Sequence, residues 1–125
     1  MQTVPPIIQT YVDAHNAIDV DRMLGCLNND VRFTNLTRGK VTAETEGLQA
    51  FEELARFGAR AFRSRRQTIT GAITVGTRAM ISVHYEATVA IDLPNGWKEG
   101  QELSFDGASY FEIVDGKIAM IIDAS

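Results

Sequence analysis

The last third of the chain constrains the fold most. Residues Met80–Leu93 alternate in polarity, and a Pro94-Asn95-Gly96 break follows. Leu103–Val114 form a second strand-length stretch, Asp115-Gly116 interrupts it, and Lys117–Asp123 form a third. Two turn signals between three such stretches predict an antiparallel meander. In the first stretch Ile81, Val83, Tyr85, Ala87, Val89 and Ile91 share one face, while Ser82, His84, Glu86 and Thr88 share the other. The third stretch is apolar on both sides, with Ala119 and Ile121 on one and Ile118, Met120 and Ile122 on the other. A strand buried on both sides predicts helices against one face of the sheet and a second copy of the chain against the other. The expectation is a homodimer through the face of Ile118, Met120 and Ile122.

Helical patterns come earlier. Pro5 and Pro6 suit a helix start, and Ile7, Ile8, Tyr11, Val12, His15 and Ile18 recur at helical spacing. Asp19 reads as the N-cap of a short second helix through Met23, Leu24 and Leu27, ended by Asn28-Asn29-Asp30. Val31, Phe33 and Asn35 alternate with Arg32, Thr34 and Leu36, as in a half-buried strand. Thr37–Gly47 is polar and reads as a loop with room for a short strand. A third helix runs from Leu48 to about Phe62, with Leu48, Phe51, Leu54, Ala55, Gly58 and Phe62 on one face. Gln67–Val75 reads as a strand bent by a bulge at Gly71, and Gly76-Thr77-Arg78 as a turn. Together these elements predict a single α+β domain over residues 1–125, whose bent sheet encloses a pocket.

Charge and cysteine content narrow the function classes. A formal net charge of -4 argues against a nucleic-acid partner, whose phosphates need a basic surface. The basic cluster Arg60, Arg63, Arg65 and Arg66 reads as a solvated helix end, where cations suit the helix dipole. No apolar run approaches the ~20 residues of a membrane span, and Met1–Ile8 lacks the pattern of a secretory leader. The single cysteine, Cys26, permits no internal disulfide and reads as a buried, inert thiol, which fits a cytoplasmic location. Two histidines and one cysteine show no metal-ligand spacing, and the glycines form no phosphate loop. No serine sits in a nucleophile elbow, and neither a metal nor a cofactor is expected.

Four strings carry a resemblance. They are Tyr11-Val12-Asp13-Ala14-His15-Asn16-Ala17-Ile18-Asp19, Asn29-Asp30-Val31-Arg32-Phe33, Glu46-Gly47-Leu48-Gln49-Ala50-Phe51 and Phe111-Glu112-Ile113-Val114-Asp115-Gly116-Lys117-Ile118. In this order the chain resembles the SnoaL-like and ketosteroid isomerase-like branches of the nuclear transport factor 2-like superfamily. The resemblance implies a cone-shaped α+β barrel, also called cystatin-like, with three N-terminal helices packed on a strongly curved antiparallel sheet. It also implies a small apolar organic ligand in the cone. Tyr11 falls at the family's helix-one tyrosine. Asn35 falls at the position of the steroid isomerase base, and Ser109 at that of its second acid. An amide cannot remove a proton, and a hydroxyl is a weaker donor than a carboxylic acid, so steroid isomerisation is not expected. Asp123 matches the final-strand aspartate of SnoaL-like cyclases.

Two readings stand for each polar candidate. Asp123 is either a desolvated acid or base, or a solvated residue near the chain end. His15 shares a helix face with Tyr11 and either shuttles a proton in the cavity or is a core histidine. His84, beside Ser82 and Glu86, reads as a surface or dimer-face residue. Asn35, Tyr85 and Ser109 are expected as polar points in an apolar cup of Phe33, Phe51, Leu54, Val83, Phe105 and Phe111, although plain core packing also explains the aromatics. Trp97 reads as a residue of the cup mouth or the surface. The expected function is binding of a small apolar ligand, with cofactor-independent acid–base chemistry by Asp123, His15 and Tyr11. The alternatives are binding without turnover and a dimeric interaction module.

Overall fold

A computed structural model describes residues 4–125. Helices α1 (Pro6–Asn16) and α2 (Val20–Gly25) lead into strands β1 (Leu27–Thr37) and β2 (Lys40–Glu46). Helix α3 (Leu48–Ala61) follows, then β3 (Phe62–Val75), β4 (Arg78–Val89), β5 (Glu102–Val114) and β6 (Lys117–Ala124). The fold is mixed α+β, with three helices and one curved six-stranded sheet in the order β2-β1-β6-β5-β4-β3. No helix among the described residues is long and apolar enough to cross a membrane.

The expected group of three N-terminal helices is corrected. Helix α3 lies mid-chain, after the β1–β2 hairpin. The expected purely antiparallel sheet is also corrected. Strand β6 inserts between β1 and β5; it is antiparallel to β5 and parallel to β1. The segment Asn28-Asn29-Asp30 does not end a helix. Helix α2 stops at Gly25, and the three residues open β1, where the Asn28 side chain accepts from the Asp30 amide at 2.9 Å. The polar stretch Thr37–Gly47, read as a loop with room for a short strand, is mostly the edge strand β2. Its exposed Thr42, Glu44 and Glu46 are edge-strand residues that carry little hydrophobic signal.

Other local signals translate directly. The Asp19 side chain caps α2 by accepting from the Arg22 amide at 3.1 Å. Asp115 and Gly116 both adopt positive φ, 52° and 76°, as a tight I′ hairpin requires. The β3–β4 register shifts between Ile69 and Gly71, and a Cβ on Gly71 would stand 2.9 Å from Ser82 Oγ. Only glycine fits that bulge without displacing its neighbour.

A second bulge changes the reading of β6. Glu112 pairs with Met120 and Ile113 with Ile118, leaving Ala119 without a partner. The extra residue breaks the two-residue alternation. Ile118 and Ile121 consequently both point into the core at 0% exposure, whereas Met120 and Ile122 stay half-buried. Ile118 therefore cannot belong to a dimer face. The core joins Ile8 and Val12 of α1, Phe51 of α3, and Val31, Ile81 and Phe111 of the sheet.

Candidate functional site

One row of side chains crosses the sheet. Asn35 on β1 is the register partner of Asp123 on β6, Asp123 of Ser109 on β5, and Ser109 of Ile81 on β4. Ile81 at 0% and Ser109 at 4% exposure place this row on the helix-covered face. Ser109 Oγ donates to Asp123 Oδ1 at 2.6 Å. Burial strips water from the Asp123 carboxylate and pushes its pKa up to about 6, and the Ser109 hydrogen bond opposes that rise.

Helix α1 places Tyr11 and His15 one turn apart on its inner face. Tyr11 is buried, with its ring edge-on to Phe111 at 6.1 Å. Burial pushes its phenol far above the ordinary value, and the Asp123 charge adds to the rise. The His15 ring tilts against Tyr85 at 6.2 Å. Burial pulls its pKa down to about 3 and the Arg65 charge pulls the same way, so the ring is neutral near pH 7. Tyr85 stacks on Phe105 at 4.9 Å and meets the edge of Phe62 at 6.5 Å. Its phenol is pushed up to about 12 by burial; Arg65 lowers it and Asp123 raises it. Tyr11 and Tyr85 thus both feel a negative charge from Asp123 and a positive one from Arg65.

Arg65 is the residue that sequence reasoning missed. Arg60, Arg63 and Arg66 are exposed as expected, but only Arg60 lies at the helix end; Arg63, Arg65 and Arg66 lie on β3, from which Arg65, only 7% exposed, points inward. Its Nε donates to the His15 carbonyl at 2.8 Å, and one terminal nitrogen lies 3.7 Å from Met23 Sδ. That carbonyl belongs to the C-terminus of α1. The helix closes there through bonds from the Ile18 amide to His15 and from the Asp19 amide to Ala14, with Ile18 left-handed at φ 54°. The Asn16 side chain binds both backbone groups of Gln67 at 2.8 and 3.0 Å, fixing the helix end against β3.

No carboxylate pairs with Arg65 among the described residues. A helix C-terminus is worth ~0.3–2 kcal/mol to a nearby cation. Desolvating an ion costs several kcal/mol, so that carbonyl leaves most of the Arg65 charge uncompensated. Burial accordingly pulls the guanidinium below its ordinary value. The strand start separates Arg65 from its neighbours: Arg65, Gln67 and Ile69 share one face of a strand that begins at Phe62, earlier than its apolar pattern suggests.

The remaining expected site residues divide. Phe33, Phe51, Val83 and Phe111 are core residues, with Phe33 and Phe51 edge-to-face at 5.6 Å. Leu54 packs at the margin of that core. Asn35 shares the Asp123 row, but its amide turns to the β1–β2 edge and donates to Thr42 at 2.8 Å and Thr37 at 3.3 Å. Trp97, on loop 90–101, packs its half-buried ring on Phe62 at 6.3 Å. His84 lies on the outer face, bonded to Asp106 at 2.8 Å and Ser104 at 3.2 Å. An open groove of about 1260 Å³ runs between α1 and the adjoining stretches of β3, β4 and β5. Arg65 lines it, and none of the expected site residues does.

Known proteins share this architecture. A candidate polyketide cyclase from Xanthomonas campestris superposes with a TM-score of 0.80 at 23% identity, covering 95% of this chain and 87% of the other. A hypothetical protein of ketosteroid isomerase-like fold from Catenulispora acidiphila, in complex with trimethylamine, gives 0.79 at 16% identity, covering 97% and 85%. An uncharacterized cystatin-fold protein from Novosphingobium aromaticivorans gives 0.71 at 19%, covering 94% and 93%. These likenesses establish the fold. No curated protein matches the sequence. The SnoaL-like domain model matches residues 8–121, so the chain belongs to the SnoaL-like domain family.

Proposed function

We propose that this SnoaL-like chain is a cofactor-independent acid–base enzyme of the isomerase or cyclase type, acting on a small, largely apolar organic molecule bound beside Asp123 on the helix-covered face of the sheet. The observation that carries the reading is Asp123, a carboxylate with one short hydrogen bond from Ser109 and a pKa near 6. Such a group is mostly ionised at neutral pH and close enough to it to take up and return a proton. As a base it removes a proton from carbon beside a carbonyl: the C–H bond breaks, its electron pair moves to the carbonyl oxygen, and the proton binds Asp123. Where the enolate is conjugated to a second carbon, return of the proton to that carbon isomerises the substrate; where its carbon instead attacks a second carbonyl, the ring closes and the alkoxide formed takes the proton back from Asp123. Tyr11 and neutral His15 serve as hydrogen-bonding groups beside the reacting atoms. Candidate cyclases among the structural relatives support this class of chemistry.

The test is proton exchange. A 1,3-diketone probe, 2-acetyl-1-tetralone, is incubated in deuterated buffer, and loss of its α-proton signal is followed by NMR. Catalysed exchange that disappears in Asp123→Asn supports the reading. Exchange at the uncatalysed rate with the native protein contradicts it.

A non-catalytic dimeric module is the second reading, favoured by the outer sheet face. Ile73 and Met80 pair across β3 and β4 at 62% and 50% exposure, beside Tyr110 and Ile122 in the same row. A homodimer through this face is compatible with either function, because the acid–base group lies on the opposite side of the sheet.

A further inference from the structure

We infer that Arg65 is a substrate-binding residue, and that the molecule it recognises is an organic anion with a flat apolar body and an acidic oxygen: a carboxylate, a phenolate or a stabilised enolate. The inference rests on the acid–base reading of the same site and adds the substrate's charge. A buried guanidinium without a carboxylate partner among the described residues is the central observation. Its Nε is committed to the His15 carbonyl, and one terminal nitrogen donates to the Met23 thioether, a weak acceptor. Its second terminal nitrogen lies near Gly58, where a Cβ would stand 3.4 Å away, so α3 offers it no polar side chain there. A planar fork with free donors matches a two-oxygen or ring-oxygen anion.

The surroundings supply the rest of the recognition. The open groove reaches Arg65 from solvent. The rings of Tyr85, Phe105, Phe62 and Trp97 pack one against the next, and Tyr85 lies within reach of the Arg65 charge, so an apolar aromatic cluster adjoins the guanidinium. Asp123 and Arg65 both act on Tyr11 and Tyr85, so the proton-transfer group and the guanidinium both lie near the two phenols. An enolate formed by Asp123 would find its counter-charge at Arg65, and neither charge would neutralise the other before substrate arrives.

The test compares 2-naphthoate with its neutral ester, methyl 2-naphthoate, by calorimetric titration at pH 7. Native protein is expected to bind the anion at least tenfold more tightly than the ester. Arg65→Met should bring the two affinities within threefold, and Arg65→Lys should keep part of the preference. If Arg65→Met does not fold, the Arg65 Nε–H resonance of the native protein decides instead: naphthoate must shift it and the ester must not. Equal affinities, binding of neither probe at millimolar concentration, a preference that survives Arg65→Met, or an unmoved Arg65 resonance each overturn the inference. Asp123→Asn separates this inference from the reading beneath it, because removing a negative charge should preserve or increase the naphthoate preference. A lost preference with Asp123 still titrating near 6 defeats the anion inference alone, and an intact preference with an ordinary Asp123 pKa defeats the acid–base reading alone.

Discussion

Ser109 and Asp123 are register partners on adjacent antiparallel strands, and the hydroxyl donates to the carboxylate at 2.6 Å. This bond favours the charged form and restrains a pKa that burial drives upward. Ser109→Ala is therefore expected to raise the Asp123 pKa above about 6 and to cost about 1 kcal/mol of stability. If Asp123 is the base, the pH profile of α-proton exchange should move to higher pH in the same variant. A profile that stays in place would mean that another group takes the proton.

Asp123 and His15 should oppose each other in the pH dependence of stability. The folded pKa of Asp123 is raised from 3.8 to about 6, so between those values the folded chain holds more protons there, and stability falls as pH rises. That of His15 is lowered from 6.5 to about 3, so the unfolded chain holds more protons there, and stability rises with pH. The two slopes offset each other between about pH 4 and pH 6. Urea midpoints of Asp123→Asn should increase with pH across this range more steeply than those of the native protein. Those of His15→Gln should instead decrease as pH rises. Parallel pH profiles for all three proteins would show that neither group is buried as described.

Much of this fold was legible because its signals are local. Asp19 is a cap, Asp115-Gly116 is a turn and Gly71 is a bulge for reasons contained within a few residues. The parallel pairing of β1 with β6 was not legible, because it joins strands from opposite ends of the chain. Strict alternation puts Ile118 on the wrong face because it cannot register the extra residue at Ala119. At the site, Tyr11 and Asp123 were found by family resemblance, while the Ser109–Asp123 bond needed the register of β5 against β6. Arg65 was hidden inside a run of arginines whose other members are solvated, and only the strand that begins at Phe62 distinguishes it.

Gly58 lies within α3, where glycine costs roughly 0.5–1 kcal/mol relative to alanine. An added Cβ would stand 3.4 Å from a terminal nitrogen of Arg65, at the inner limit of ordinary contact. Gly58→Ala should therefore raise the melting temperature by a few degrees. A lower melting temperature would show that Arg65 cannot yield and is held more rigidly than its two contacts imply.

The outer sheet face makes its own prediction. Met80 is 50% exposed in a row with Ile73, Tyr110 and Ile122. If this face binds a second copy, a lysine there would place a charge in the contact. Sedimentation at micromolar concentration should show a dimer for the native chain and a monomer for Met80→Lys, with the helical signal unchanged. A native monomer would remove this face as a self-association surface.

Titration of the Asp123 carboxyl carbon by NMR tests the account most directly. A pKa near 6 that rises in Ser109→Ala is the predicted result, since desolvation lifts the group and the serine restrains it. A pKa near 3.8, insensitive to the serine, would describe a solvated terminal aspartate and would contradict the assignment of Asp123 as the proton-transfer group.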